Sequence, residues 1–249
     1  MDFQSIVVDG GLNYKTTHRF RIIVYRDSNV HAHFSERRHT FPVQLSHYLD
    51  KYGVSDVEVI NAGVSGFDPD QNLIRFTEEA DIYRPALVVF HVFADNDFGD
   101  IIRNRLFSLD ADGSLMRTNI KLSPPHSQVI SGLLTVKAIR KIIRLLAESD
   151  DEYIDQLRKL CDTEYSAYKK EGKAPLLTLD YYDIDVALDS ERDSSKTKIR
   201  LMEEVLKEAS NVARKKNIKF LVLIQLSVID LTVDNFQIGY KYLQKYPNY

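Results

Sequence analysis

Residues 21–34 read RIIVYRDSNVHAHF, and the way the apolar run breaks off at Arg26-Asp27-Ser28 decides how the rest of the chain is read. A short, continuous run of Ile, Val and Tyr lacks the 3.6-residue spacing of an amphipathic helix and suits a strand buried on both faces. Three other stretches share this character: 57–62 (VEVINA), 86–93 (ALVVFHVF) and 219–225 (KFLVLIQ). Helical patterns separate the first three. Pro42 stands near a helix start, Phe41, Leu45 and Leu49 recur every four residues, and Gly53 supplies a stop. Asp68-Pro69 reads as an N-cap followed by a first-turn proline, opening a helix through Leu73 and Phe76 to about Asp81. Strand alternating with helix predicts an α/β fold, a parallel sheet with helices on both faces, and a strand order of 2-1-3 would make it flavodoxin-like.

About a hundred residues separate the third strand from the fourth, far more than a βα connection needs, so an insertion is expected at about 101–195 of a single domain spanning 1–249. Its opening, LFSLDADGSLMR, places Asp112-Gly113 between apolar flanks and predicts a hairpin. Helical patterns follow near 133–148 and 151–170. The acidic stretch 181–197 reads as a loop ahead of a helix at about 196–215.

Bulk composition narrows the function classes. The 249 residues are 44% hydrophobic, enough for a substantial core. A formal charge of -3 arises from interspersed acids and bases, which argues against nucleic acid as a partner. Cys161 is the only cysteine and cannot form an intramolecular disulfide. The start MDFQSIVVDGG resembles neither an export signal nor an anchor, and no apolar run approaches the roughly 18 residues of a spanning helix. The expectation is a soluble chain that stays where it is made, cytoplasmic by default. No phosphate loop or dinucleotide fingerprint occurs, and no cofactor is expected. The DADG at 110–113 has only part of a calcium loop's ligands and reads as a turn.

Polar motifs follow three of the strands: Arg26-Asp27-Ser28, NAGVSG (61–66) and FADND (93–97). In open parallel sheets the functional crevice lies beyond the carboxyl ends of the strands, at the point where strand order reverses. With an order 2-1-3, Ser28 lies between a glycine loop and an asparagine. A hydroxyl flanked by fixed N–H donors suits acyl transfer, in which serine attacks a carbonyl and the donors stabilise the developing oxyanion. Ser28 also reads as an ordinary turn or N-cap residue, and Asn61, Gly63 and Gly66 as a plain turn.

At these residues the chain resembles the SGNH (GDSL) hydrolase superfamily of esterases and acyl hydrolases, over about 18–100 and more loosely at 219–225. RDSNVHAHF is similar to its nucleophile motif, NAGVSGFDPDQ to its glycine motif, and FADNDFGD to its G-x-N-D motif. The resemblance implies that Ser28 is the nucleophile, that Ser28, Gly66 and Asn96 form the oxyanion hole, and that the substrate is an acyl or acetyl ester of a small molecule or carbohydrate. Asp27 is read as orienting the first loop, and Asp97 as positioning the loop of Asn96 or as a solvated aspartate.

Three departures accompany the resemblance. Arg26 and Ala94 stand where the family has glycine, and none of the seven histidines has an aspartate three residues before it, so the family's Asp-x-x-His base is missing. Loss of the histidine from a serine triad costs about a million-fold in turnover, so strong esterase activity is not expected of this polypeptide alone. His31 and His33 lie near Ser28 but read as surface residues, and His91 as a satisfied core histidine. With the apolar stretch 219–225 left as a sheet edge, the sequence is expected to be a fragment or an early-terminated product. Tyr240, Tyr242, Tyr246 and Tyr249 read as packing residues or as a carbohydrate groove. The rival reading is a binding protein that has kept the fold and lost the chemistry.

Overall fold

The computed structural model describes residues 20–26, 37–64, 66–94, 96–118 and 184–226, with single positions 155, 159, 162, 165 and 166 between them. In chain order the elements are β1 (Phe20–Tyr25), a 3-10 turn (Arg37–His39), α1 (Phe41–Lys51), β2 (Val57–Asn61), α2 (Pro69–Tyr83), β3 (Leu87–Phe93), α3 (Asp97–Asn104), β4 (Phe107–Leu109), β5 (Leu115–Arg117), α4 (Ile184–Leu188), α5 (Asp193–Lys215) and β6 (Lys219–Gln225). Contacts divide the chain into two compact units, Met1–Val92 with Val205–Ile224 and Phe93–Glu204 with Gln225–Tyr249.

The main sheet has the order β2-β1-β3-β6. β1 runs parallel to β2, with Phe20 opposite Val57 and Val24 opposite Asn61, and parallel to β3, with Ile22 opposite Leu87 and Tyr25 opposite Phe90. At the start of β6, Lys219 N–H donates to the Ala86 carbonyl at 3.0 Å, and at its end Gln225 accepts from Ala94 N–H at 2.9 Å. Matching start to start and end to end makes this pair parallel as well. The four strands fall where the apolar runs predicted them; β1 and β3 are buried on both faces, as continuous apolar runs imply, whereas β6, at the sheet edge, has only exposed and half-buried positions, with Leu221 exposed.

Helices cover both faces of the sheet. On one, Ile22, Val24 and Val89 pack with Phe41, Leu45 and Leu49 of α1, the four-residue stripe read from sequence. On the other, Tyr25, Phe90 and Phe76 of α2 form an aromatic cluster with ring centroids 5.5 to 6.0 Å apart, extended by Phe220 at 5.3 Å from Phe90. This is the three-layer α/β arrangement that the alternating pattern implied, and the order β2-β1-β3 makes it flavodoxin-like.

The helix ends follow local chemistry. Asp68 caps α2 in a reciprocal box, its own N–H donating to Gln71 Oε1 at 2.9 Å, with Pro69 in the first turn. α1 closes with Gly53 at φ +75°, Gly53 N–H donating to Asp50 and Val54 N–H to Leu49, so that two orphan carbonyls are satisfied. Asn217, at φ +57°, closes α5 through the same pair of bonds, to Arg214 and from Ile218 to Ala213.

In the second unit, β4 and β5 pair antiparallel as the expected hairpin. Its turn is held by Asp110 Oδ1, which accepts from Asp112 N–H at 3.1 Å and Ser114 N–H at 2.9 Å, with Gly113 at φ +89°. The acidic stretch 181–197 is not a loop throughout. It contains α4, and α5 begins at Asp193, three residues earlier than expected. The cause is a buried contact: Asp185 accepts from Ser194 Oγ at 2.6 Å and from Lys198 Nζ at 2.8 Å, fixing the first turn of α5 against α4. The helix expected near 133–148 lies outside the described residues. In the 151–170 segment the described positions are helical, with Lys159 paired to Asp155 at 2.8 Å one turn away.

Candidate active site

The described part of the first motif reaches Arg26; Asp27, Ser28, His31 and His33 lie outside the described residues. Arg26 is buried, and its carbonyl accepts from Val64 N–H at 2.9 Å. One step earlier Ala62 N–H donates to the Val24 carbonyl at 2.9 Å. These two bonds carry the β1–β2 ladder beyond Asn61, so the start of the glycine motif runs alongside the end of β1.

Within the glycine motif, Asn61 Oδ1 accepts from Gly63 N–H at 3.0 Å, an Asx turn, and Phe67 N–H donates to Val64 at 3.1 Å. Gly66 is exposed and takes φ +75°, and a Cβ there would meet no described atom within 4 Å. Glycine is therefore needed for its left-handed backbone rather than for space.

Beneath this loop lies a buried polar network that the sequence reading missed. Arg75 of α2 donates through Nη1 to the Ala62 carbonyl at 2.7 Å and through Nε to Glu79 Oε1 at 3.0 Å. Glu79 Oε2 accepts from the Tyr25 hydroxyl at 2.8 Å. The guanidinium stands 5.4 Å from the Tyr25 ring centroid and 5.7 Å from that of Phe67. Burial, and then Glu79, raise the Tyr25 pKa well above its ordinary value, so the phenol stays a neutral donor. The available signal was Glu79 itself, a charge on the same helical stripe as Phe76, Ala80 and Tyr83.

The third motif opens α3. Asn96 occupies the N-cap position, its carbonyl accepting from Gly99 and Asp100 N–H, and its side-chain amide donates to the Asp100 carboxylate, which also pairs with Arg103. Asp97, almost fully buried, accepts from Phe93 N–H through Oδ2 at 2.7 Å and closes the turn in which Asn96 stands.

The two glycine replacements have a backbone answer. The described non-glycine residues with positive φ are Asp56, Arg84, Arg105 and Asn217, so neither Arg26 nor Ala94 needs glycine's freedom. His91 follows Phe90, the partner of Tyr25, and so lies beside Arg26 across the β1–β3 pair. It is a buried histidine as read, and its Nδ1 has no hydrogen-bond partner among the described residues. Burial, with Arg26 as a second cause, lowers its pKa to about 3, and it is neutral at ordinary pH. Among the described residues no helix is long and apolar enough to cross a membrane. The tail tyrosines 240, 242, 246 and 249 lie outside the described residues.

No protein-family profile and no curated protein matches the chain. Solved structures similar to it include AlinE4, an SGNH-hydrolase family esterase (14% identity, 92% of this chain and 94% of that one, TM-score 0.32). The psychrotrophic esterase EstA from Pseudoalteromonas sp. is another, at 12% identity, 92% and 100% coverage and a TM-score of 0.31. A third is a catalytic mutant of Axe2, an acetylxylan esterase from Geobacillus stearothermophilus, at 11% identity, 80% and 74% coverage and a TM-score of 0.30. In its three motifs the chain resembles the SGNH hydrolase family.

Proposed function

We propose that the chain is an SGNH-type serine ester hydrolase acting on an acyl or acetyl ester of a small molecule or carbohydrate, with Ser28 as nucleophile. The observation that supports this most is the strand order β2-β1-β3, in which the strand leading to Ser28 lies between the two that lead to Gly66 and Asn96. Ser28 Oγ attacks the ester carbonyl, the tetrahedral oxyanion receives N–H donors, and the alcohol leaves as an acyl-serine forms. The donors assigned are the amides of Ser28 and Gly66 and the side-chain amide of Asn96. That amide has two N–H groups; one goes to Asp100, and the proposal gives the other to the oxyanion. Asp97 positions the Asn96 turn through Phe93 N–H, and Asp27 is given the same task in the first loop. No cofactor enters the scheme. Residues 1–249 form one hydrolase-like domain, and its insertion, about 101–195, carries substrate specificity.

No base is assigned, because the sequence lacks an Asp-x-x-His. An oxyanion hole without the triad base leaves only roughly a thousand-fold over water, so slow turnover is expected of residues 1–249 by themselves. That same absence favours the second reading, a binding protein of SGNH type that has lost its chemistry. Turnover of p-nitrophenyl acetate by the natural full-length product and by Ser28→Ala separates the two. Hydrolysis abolished by the substitution is the expected result; turnover that survives Ser28→Ala overturns the nucleophile assignment, and acetyl-oligosaccharide binding without turnover moves the conclusion to the second reading.

A further inference from the structure

We infer that Arg75, backed by Glu79 and Tyr25, is a positioning residue that fixes the glycine loop against the end of β1. Its catalytic meaning rests on the hydrolase reading above, whereas its physical content does not.

A single planar cation meets both ends of the described loop. Arg75 holds the Ala62 carbonyl at 2.7 Å and stands 5.7 Å from the Phe67 ring centroid, while Gly63, Val64 and Gly66 lie between. The orientation of that cation is itself fixed. Glu79, one turn along α2, engages Nε at 3.0 Å and Nη2 at 3.4 Å, a forked grip on the guanidinium. Glu79 is held in turn by the hydroxyl of Tyr25, the last residue of β1. The circuit closes on the neighbouring residue, since the Arg26 carbonyl accepts from Val64 N–H. From the end of β1 the contacts run through Glu79 and Arg75 to Ala62, then along the loop and back to β1.

A purely stabilising role is the simpler alternative, and energetics argue against it as the whole explanation. A buried ion pair contributes little net stability compared with apolar residues of the same volume, because desolvation offsets the attraction. A fork that also aims a third donor at a carbonyl instead fixes direction. Arg75→Lys keeps the charge and loses the fork, so its main effect falls on loop geometry.

The test compares the natural full-length product with Arg75→Lys and Glu79→Gln, reading amide hydrogen exchange residue by residue and the rate of fluorophosphonate labelling at Ser28. Exchange at Gly63, Val64, Gly66 and Phe67 is expected to accelerate by about tenfold or more in Arg75→Lys, with β1 and β3 amides within about twofold of wild type. The limiting labelling rate constant is expected to fall about tenfold with its half-saturating concentration unchanged, since misplacement near a reacting group lowers rate more than binding. Glu79→Gln should give the same local pattern more weakly, and it decides the matter if Arg75→Lys does not fold. Loop exchange that is unchanged, or that rises evenly through the whole unit, overturns the inference. If Ser28 is not labelled in the wild type but the local exchange pattern appears, positioning of the loop stands and the hydrolase reading falls.

Discussion

The Arg75–Glu79 pair of the first unit and the Lys198–Asp185 pair of the second are both almost fully buried, with side-chain exposures of 4% and 5% in one and 3% and 0% in the other. Their construction differs. Arg75 and Glu79 sit one turn apart on a single helix, so their attraction by itself joins nothing; the pair acts on the fold through its spare contacts, to the Ala62 carbonyl and the Tyr25 hydroxyl. Lys198 and Asp185 belong to two helices, and Ser194 adds a second bond to the same carboxylate. One pair orients a loop, and the other staples two elements together. Two ion pairs of equal burial can thus differ in whether geometry or stability depends on them.

The largest effect of removing one partner is expected at the staple between α4 and α5. Asp185→Leu leaves the Lys198 ammonium buried without its carboxylate, and removal of one partner of a buried pair costs about 3–5 kcal/mol. Adding Lys198→Met should restore most of that loss, since apolar residues of similar volume often replace a buried pair without penalty. Urea denaturation of the two variants checks both statements, and a double variant no more stable than the single one would remove the staple argument.

A smaller change is expected in the loop network. Tyr25→Phe deletes a hydrogen bond to a carboxylate and leaves Arg75 in place, a loss of about 1.5–3 kcal/mol in the same denaturation experiment. A value as large as that for Asp185→Leu would mean that the two networks are equally structural.

A third effect is read as a slope with pH rather than as a loss at one pH, and it concerns a buried group held by no ion pair. His91 has its pKa lowered to about 3 by burial and by Arg26, so its protonation favours the unfolded chain. Its contribution to stability is complete above the unfolded pKa of about 6.5 and is lost as pH falls toward 3. The slope amounts to at most about 1.4 kcal/mol per pH unit. His91→Gln should flatten the acid limb of stability against pH by that slope; an unchanged limb would show that His91 is protonated in the folded chain.

The contrast also explains what the sequence could disclose. The strands were legible because consecutive Ile, Val and Phe have few other uses, and Asp68-Pro69, Gly53 and Asp112-Gly113 announce their turns through local backbone chemistry. Helix α4 and the early start of α5 were not legible. They depend on Asp185 meeting Ser194 and Lys198, a tertiary contact, and the same acidic residues unpaired would favour a loop. The Arg75–Glu79 pair was hidden differently, because Arg and Glu one turn apart read as an exposed pair unless their place on the apolar stripe is noticed. Of the site, the motifs could be placed after their strands, whereas the roles of Asp27, Ser28, Gly66, Asn96 and Asp97 rest on the resemblance and are proposals. Arg26 and Ala94 stand where the family has glycine, but neither has the left-handed backbone that would require one.

The most direct test of the central proposal is fluorophosphonate labelling of the natural full-length product, mapped by peptide mass spectrometry beside Ser28→Ala. A single adduct on the peptide carrying Ser28, absent from the variant, is the predicted result. A folded protein that takes no label, or takes it elsewhere and equally in Ser28→Ala, would contradict the assignment of Ser28 as nucleophile.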